Sequence, residues 1–477
     1  MKRVRVFLAR LGRTPSNYFA ICPPLGILYI AAYAREKFDL DIGVFDQRVE
    51  DCPPESVVAR AVAFEPEVIG LSAFTSAAHL VAQVARELRQ ALPNALILLG
   101  GPHASASRSK ALEDTGADVA VIGEGERAFE QVLEARLAGR DFRDIPGLIW
   151  RDSDGRIIAN AGATPFIEDM DTLPFPAYDL VDIEKYWSAH GMALLPPRKY
   201  AALFTSRGCP YRCIFCHNIF GKRFRGQSPE RVLSDIEHCV RTWGIEEFEI
   251  LDDTFNHSRE RVIELCDLIL RRGLKIKITF PNGLRTDTLT QEVVDALADA
   301  GMCYSAFALE AGSPRIQRYV RKNLNIPRFL EGVEMAAKRR VLSHGFAMMG
   351  FPTETEEDLQ QTIDVMCEAK LHVASFSTVT PYPSTELYER VLQTHPEKLA
   401  DLDYKNSDHS GIRVNLSDVP DDVFYQYQRK AWRRFYLDPR RALRIMRDHR
   451  QPSRLLHFVP AYGHRLVKGL LRRRSEK

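Results

Sequence analysis

The sequence predicts an α/β protein made of a doubly wound parallel sheet, then a partial (β/α)6 barrel, then a helical basic tail. Three observations predict it. Short apolar runs alternate with amphipathic helical stretches over most of the chain, as parallel strands joined by crossover helices do. A Pro-containing connector interrupts the alternation once, near residues 146–198. Polar or glycine punctuation follows the runs, where strands would present their carboxyl ends. The segments read as 1–145, 146–198, 199–390 and 391–477.

Size and composition agree with that division. A chain of 477 residues exceeds one average domain, and 45% apolar content is that of a globular protein. A net charge of +2 excludes wholesale nucleic-acid binding and an acidic disordered chain. "MKRVRVFLAR" lacks the apolar core of a secretory signal, and no run approaches the roughly 18 apolar residues of a membrane span. A cytoplasmic location is therefore expected, where thiols stay reduced.

In the first unit the strands are "RVRVFLAR", "DIGVFD", "EVIGLSAF", "LILLGG" and "DVAVIGEGE", with helices between them. Five such strands fit a flavodoxin-like (Rossmann-type) sheet, whose ligand crevice lies beyond the strand carboxyl ends. Ser72, Gly100, Gly101 and the "GEGE" residues Gly123, Glu124 and Gly125 fall there. Glycines at these points either admit a large cofactor to the backbone or make tight strand-to-helix turns. The connector opens with a hairpin around Asp154-Gly155 and continues as "MDTLPFPAYDLVDIEKYW".

The barrel strands are "YAALFTS", "FEILDD", "IKITFPNG", "YSAFALEAG", "HGFAMMGFP" and "ASFSTVTPY". Helices such as "SPERVLSDIEHCVRTWG" open on a capping Ser or Thr. Catalytic groups of parallel barrels gather at strand carboxyl ends. That rule selects the loop after the first strand, Asp252 and Asp253, Asn282 with Arg285, and Glu310.

The loop after the first barrel strand, "SRGCPYRCIFCHN", holds Cys209, Cys213 and Cys216. Their spacing would line one helical face, but Gly208 and Pro210 argue for a loop. Zinc is a poor fit, because adjacent Cys216 and His217 can hardly both face one tetrahedral ion. Three thiolates without a fourth suit a 4Fe-4S cluster with one open iron. Cys239, Cys266, Cys303 and Cys367 lie in helical or strand patterns and read as core filling.

"CPYRCIFC" resembles the CxxxCxxC signature of the radical S-adenosylmethionine enzymes, including Phe215 before the third cysteine. The resemblance implies that S-adenosylmethionine chelates the open iron and is cleaved reductively to a 5'-deoxyadenosyl radical. It also implies cofactor-side roles for Phe215, Asp252, Asp253, Asn282, Arg285, Glu310 and Ser313, although Asp and Ser equally serve as strand-end caps. Upstream, "PPLGILYIAAYARE", "GLSAFT" (Ser72 to Thr75), "LLGGPHAS" and "IGEGE" resemble the cobalamin-binding domain that precedes many such barrels. The DxHxxG motif is absent, so a cobalamin there would have no histidine ligand from it.

This family implies a C-methyltransferase acting on an unactivated carbon with cobalamin as methyl carrier. Radical cyclisation, ring contraction or oxidative rearrangement is the alternative within the superfamily, and a non-enzymatic cobalamin sensor the alternative outside it. A small-molecule substrate is expected, a lipid or secondary-metabolite intermediate among the candidates, with a flavodoxin or ferredoxin as one-electron reductant. No residue is assigned the chemical step itself.

After Asp421 the chain is helical and basic. Such helices lie on an anionic membrane surface, bind an acidic partner or present a solvated face. No cysteine or strand-end motif lies beyond that point, so this region is expected to be separable from the barrel.

Overall fold

The computed structural model describes residues 3–12, 20–113, 115–193, 195–196, 198–400, 402–404 and 414–448. The first unit contains β1 (Val4–Leu11), β2 (Leu40–Asp46), β3 (Val68–Ala73), β4 (Leu96–Gly100) and β5 (Val119–Ala120). They pair in parallel in the order β2-β1-β3-β4-β5. Strand alternation splits β1 between two core layers. Val6 and Leu8 face the helices Leu25–Arg35 and Glu126–Leu137, while Phe7 and Ala9 face Pro54–Phe64 and Ala78–Ala91. The last of these helices buries Leu80, Val81, Val84, Ala85 and Leu88, a spacing of three and four residues.

The Asp154-Gly155 hairpin, β6 (Ile149–Arg151) and β7 (Ile157–Ala159), is part of this sheet rather than of the connector. It pairs antiparallel to β5, whose backbone groups would otherwise be unpaired.

The second unit contains β8 (Ala201–Leu203), the short antiparallel pair β9 (Ser206–Arg207) and β10 (Arg225–Gly226), and β11 (Glu247–Ile250). It continues with β12 (Lys277–Phe280), β13 (Met302–Glu310), β14 (Leu342–Met349) and β15 (Val373–Thr378). All six runs read from the sequence form strands, parallel and in chain order β8-β11-β12-β13-β14-β15. Helix starts follow the capping chemistry. Ser228 caps Pro229–Trp243, and Thr355 with Asp358 forms a capping box on Glu356–Glu368.

An unclosed barrel has two edge strands, and each is finished by a tyrosine hydroxyl. On β8, Tyr178 of the connector donates to Ala202 O at 2.6 Å and accepts from Ala202 N at 3.2 Å. On β15, Tyr436 donates to Ala374 O at 2.7 Å and accepts from Ala374 N at 3.1 Å. Here the structure corrects the sequence reading of the tail. The helix Asp421–Tyr436 buries Phe424, Ala431 and Phe435 in the barrel core, so the barrel unit extends past residue 390. Burying the free edge of β15 is the physical reason. Residues 449–477 lie outside the described residues.

The following helix, Pro439–Asp448, is latched to the same edge. Arg441 donates to the carbonyls of Phe435 and Cys367, and His372 Nε2 lies 3.1 Å from Asp448. His372 Nδ1 accepts from Ser343 N–H, so the neutral ring donates through Nε2. Burial, only partly opposed by Asp448, lowers this histidine to about 4 from 6.5. The unfolded chain takes up the proton below about 6.5 while the native ring resists it, so stability falls as pH drops from 6.5 through 4. Urea midpoints measured across that window should decline, and His372→Asn should flatten the decline.

Candidate functional site

The cysteine loop leaves the barrel on β9 and returns on β10. Gly208 turns it at φ +83, where a Cβ would stand 2.2 Å from Arg223 O and 3.0 Å from Phe220 O. Only glycine fits that turn. The middle of the loop is tied to the barrel, because Ile214 donates to Val320 O and accepts from Leu387 N. Phe215 packs 5.8 Å from Phe351, an aromatic anchor within the loop's small apolar cluster.

Cys209 and Cys213 are half-buried, and Cys216 is exposed. The Thr254 hydroxyl lies 3.1 Å from Cys209 Sγ and 2.8 Å from Asp253 O, two acceptors for its one proton. A hydrogen bond from Cys216, opposed by burial and assisted by the Lys322 ammonium, lowers the Cys213 thiol to about 7. Among the described residues, no three His, Cys, Asp or Glu side chains form a site for a single metal ion. A cubane makes a different demand, since each of its thiolates takes a separate iron. The hydrogen bond between Cys213 and Cys216, with burial, raises the Cys216 thiol, so the pair shares a proton that metal ligation would displace, while a hydroxyl beside Cys209 suits a thiolate there.

The strand-end candidates separate into two groups. Asp253 faces the cysteine loop, with His217 Nε2 at 3.9 Å, and burial raises its carboxyl despite that neighbour. Asn282 donates to Leu251 O at 2.7 Å. Arg285 lies 3.7 Å over the Tyr211 ring and pairs with Asp287. Glu310 ends β13 at φ +66 and pairs with Lys322 at 3.1 Å. A non-glycine residue held there is strained, which is frequent at functional sites.

Asp252 and Ser313 are engaged differently. Asp252 is buried, raised by burial, and accepts from Thr205 N, Thr205 Oγ1 and Ser206 Oγ. It ties β11 to the strand entering the cysteine loop. Ser313 caps the helix Pro314–Tyr319 and donates to Asp358. Both side chains do the work of strand-end caps.

In the first unit, Ser72, Thr75, Gly100 and Gly101 meet at the carboxyl ends of β3 and β4. A Cβ on Gly101, at φ +78, would lie 2.5 Å from Ser72 Oγ, whereas one on Gly100 would project into open space. Ser72 and Thr75 are half-buried, and Phe74 between them is 50% exposed. Gly123, at φ +83, donates to Ser105 Oγ, and its Cβ position lies 3.4 Å from Ile219 O of the cysteine loop. The crevice at these strand ends has free space over Gly100, so a cofactor can approach the backbone there, and Gly123 borders the cysteine loop.

Glu124 and Gly125 do not line that crevice. A Cβ on Gly125 would meet Ile30 at 2.5 Å, so this glycine serves helix packing. The Glu124 carboxylate pairs with Arg225 at 2.5 Å and Arg207 at 3.4 Å, and accepts from Ile167 N. Glu126 pairs with Arg207 at 2.6 Å. All four charged side chains are buried. The first unit therefore grips both ends of the cysteine loop, Arg207 on β9 and Arg225 on β10.

Sequence reading missed Arg207, Arg225, Lys322, Thr254 and Tyr211, and gave Glu126, the last residue of "GEGE", no role of its own. Adjacency offered a signal for three of them, since Arg207 precedes Gly208, Tyr211 lies between the cysteines and Thr254 follows Asp253. For Arg225 and Lys322 burial alone reveals the role.

Residues 16–133 match the family model described as the B12 binding domain, and residues 203–366 the one described as the Radical SAM superfamily. The uncharacterized methyltransferase PH0819 of Pyrococcus horikoshii is 31% identical over 433 residues, 90% of each chain. The cytidylyl-2-hydroxyethylphosphonate methyltransferase of Streptomyces wedmorensis is 26% identical over 78% of each chain. An anaerobic magnesium-protoporphyrin IX monomethyl ester cyclase of Rubrivivax gelatinosus is 24% identical, over 77% of this chain and 66% of that one. The fold is shared with the radical S-adenosylmethionine methyltransferase TsrM from Kitasatospora setae, solved with cobalamin and a [4Fe-4S] cluster. There the TM-score is 0.69 at 19% identity, covering 82% of this chain and 78% of that one.

Proposed function

This chain belongs to the radical S-adenosylmethionine enzymes whose barrel follows a B12-binding domain, and on that premise we propose that it is a cobalamin-dependent C-methyltransferase acting on an unactivated carbon of a small molecule. When bound, the reduced cluster with S-adenosylmethionine supplies a 5'-deoxyadenosyl radical, and cobalamin supplies a transferable methyl group. The observation that carries this reading is the interlock of the two units. Gly123 of the crevice stands against Ile219 of the cysteine loop, and buried ion pairs hold both ends of that loop to the first unit. Methyl transfer needs the two cofactor faces to meet over one substrate.

In this reading Cys209, Cys213 and Cys216 hold three irons, and Thr254 steadies the first thiolate. Phe215 wedges the loop against Phe351. Asp253, Asn282, Arg285 and Glu310 surround the S-adenosylmethionine side, and Lys322 balances the Glu310 carboxylate. Asp252 and Ser313 position these groups from behind. Ser72, Thr75, Gly100, Gly101 and Gly123 form the cobalamin side. Two further parts complete it. One is a one-electron reductant of the flavodoxin or ferredoxin kind, and the other is peripheral attachment of the basic C-terminal region to the inner face of a membrane. Among the described residues no helix is long and apolar enough to cross one.

Incubation with methyl-labelled S-adenosylmethionine, a reductant and extract metabolites tests the reading. A product gaining one labelled methyl group is expected. A product that loses mass or isomerises without label would replace methyl transfer by the cyclase-type reaction, for which the 24%-identical cyclases speak.

A further inference from the structure

The helix Pro439–Asp448 is held in one orientation, because Arg441 and Asp448 are both buried against the barrel edge. Its opposite side therefore faces outward, and that side is not purely charged. Leu443 is 63% and Met446 53% exposed, interleaved with Arg440 and Arg447, and Leu437 just before the helix is 72% exposed. Leu443 and Met446, three positions apart, share that side with Arg447, the combination of apolar and basic side chains that suits a helix lying at a lipid boundary.

Beside this face lies a cleft of about 420 Å³, lined by Lys338, Arg340, Lys370, Arg444 and Arg447 with Glu334. The acids there are Glu334, shared by Lys338 and Lys370, and Asp448, which holds Arg447. Cations remain in excess. In sequence, residues 449–477 add one acid, Glu476, beside Arg472-Arg473-Arg474.

We propose that this surface docks the protein on an anionic membrane, with Leu443 and Met446 entering the headgroup boundary and the cleft cations facing lipid phosphates. The inference deepens the peripheral-attachment part of the reading above and is independent of its catalytic part. Arg340 and Lys370 precede β14 and β15, so the surface lies at the amino-terminal end of the barrel strands, opposite the cysteine loop. Docking there tethers the enzyme and leaves its catalytic mouth facing away from the bilayer.

Flotation of the full chain with phosphatidylglycerol and phosphatidylcholine vesicles tests this. Binding to the anionic vesicles alone, weakened by added salt, is expected. Leu443→Glu with Met446→Glu should lower partitioning at least about tenfold by removing apolar insertion. Lys338→Ala with Arg340→Ala should lower it about fivefold for each charge removed. Formation of 5'-deoxyadenosine should be unchanged in both variants, and its absence from the parent protein would count against the catalytic reading alone. Failure of the parent to bind, equal binding to phosphatidylcholine, or binding that both variants retain overturns the proposal. In the last case attachment runs through another part of the chain.

Discussion

Replacing Cys209, Cys213 or Cys216 by Ala removes reductive cleavage of S-adenosylmethionine and lowers bound iron, while the chain stays folded. Each sulfur belongs to one loop whose backbone is anchored independently, by the Gly208 turn, the Ile214 hydrogen bonds to both sides and the Phe215–Phe351 contact. Losing a thiol leaves those anchors in place. A cluster with two protein ligands has too few donors, so iron content after anaerobic reconstitution and 5'-deoxyadenosine yield should fall together. Thr254→Val gives a graded companion. It removes the hydroxyl within hydrogen-bond reach of Cys209, and outer partners of metal ligands are worth about 10- to 100-fold. Full cleavage activity and iron in the triple alanine variant would refute the assignment of these cysteines.

Cutting the buried clamp should have the second largest effect. Glu124→Gln leaves Arg225 and Arg207 with one fewer carboxylate in a dry interface, and breaking such a pair from one side costs about 3–5 kcal/mol. The exposed pair Arg35–Asp179 joins the first unit to the connector, yet Arg35→Ala should cost at most about 1 kcal/mol because solvent screens it. Chemical denaturation separates the two outcomes. The clamp also holds both ends of the cysteine loop, so Glu124→Gln should increase protease sensitivity near residues 208–224 and reduce bound iron. The double variant Glu124→Gln with Arg225→Met should lose less than the sum of its parts, since no unpaired charge remains from that pair. An unchanged unfolding midpoint in Glu124→Gln would remove the clamp from this account.

The local patterns were legible because local chemistry determines them. Strand runs, capping residues and the Gly208-Cys209-Pro210 turn predicted all six barrel strands and placed the cysteine loop after the first. The "GEGE" segment was located correctly at a strand carboxyl end but misread in part. Its first glycine borders the crevice, whereas Glu124 faces away from it into the interface with β9 and β10. The helix Asp421–Tyr436 was expected to be separable, and packs into the barrel instead, for a related reason. Composition shows amphipathicity, but not whether the apolar face meets a lipid or the open edge of a barrel.

The sequence by itself determined the two parallel-sheet units, the three-cysteine loop and the glycines beyond the first sheet, since periodicity, turn chemistry and thiolate spacing act over a few residues. Only the tertiary structure decided which charges are buried partners and which face the site. Glu124 and Asp253 are both acids at strand ends, but one is neutralised by arginines from about 80 to 100 residues away in the chain and the other fronts the cysteine loop. It also decided that Tyr178 and Tyr436 finish the barrel's two free edges. The physical reason is the same in each case: desolvation and the pairing of buried polar groups depend on long-range neighbours, which no local pattern encodes.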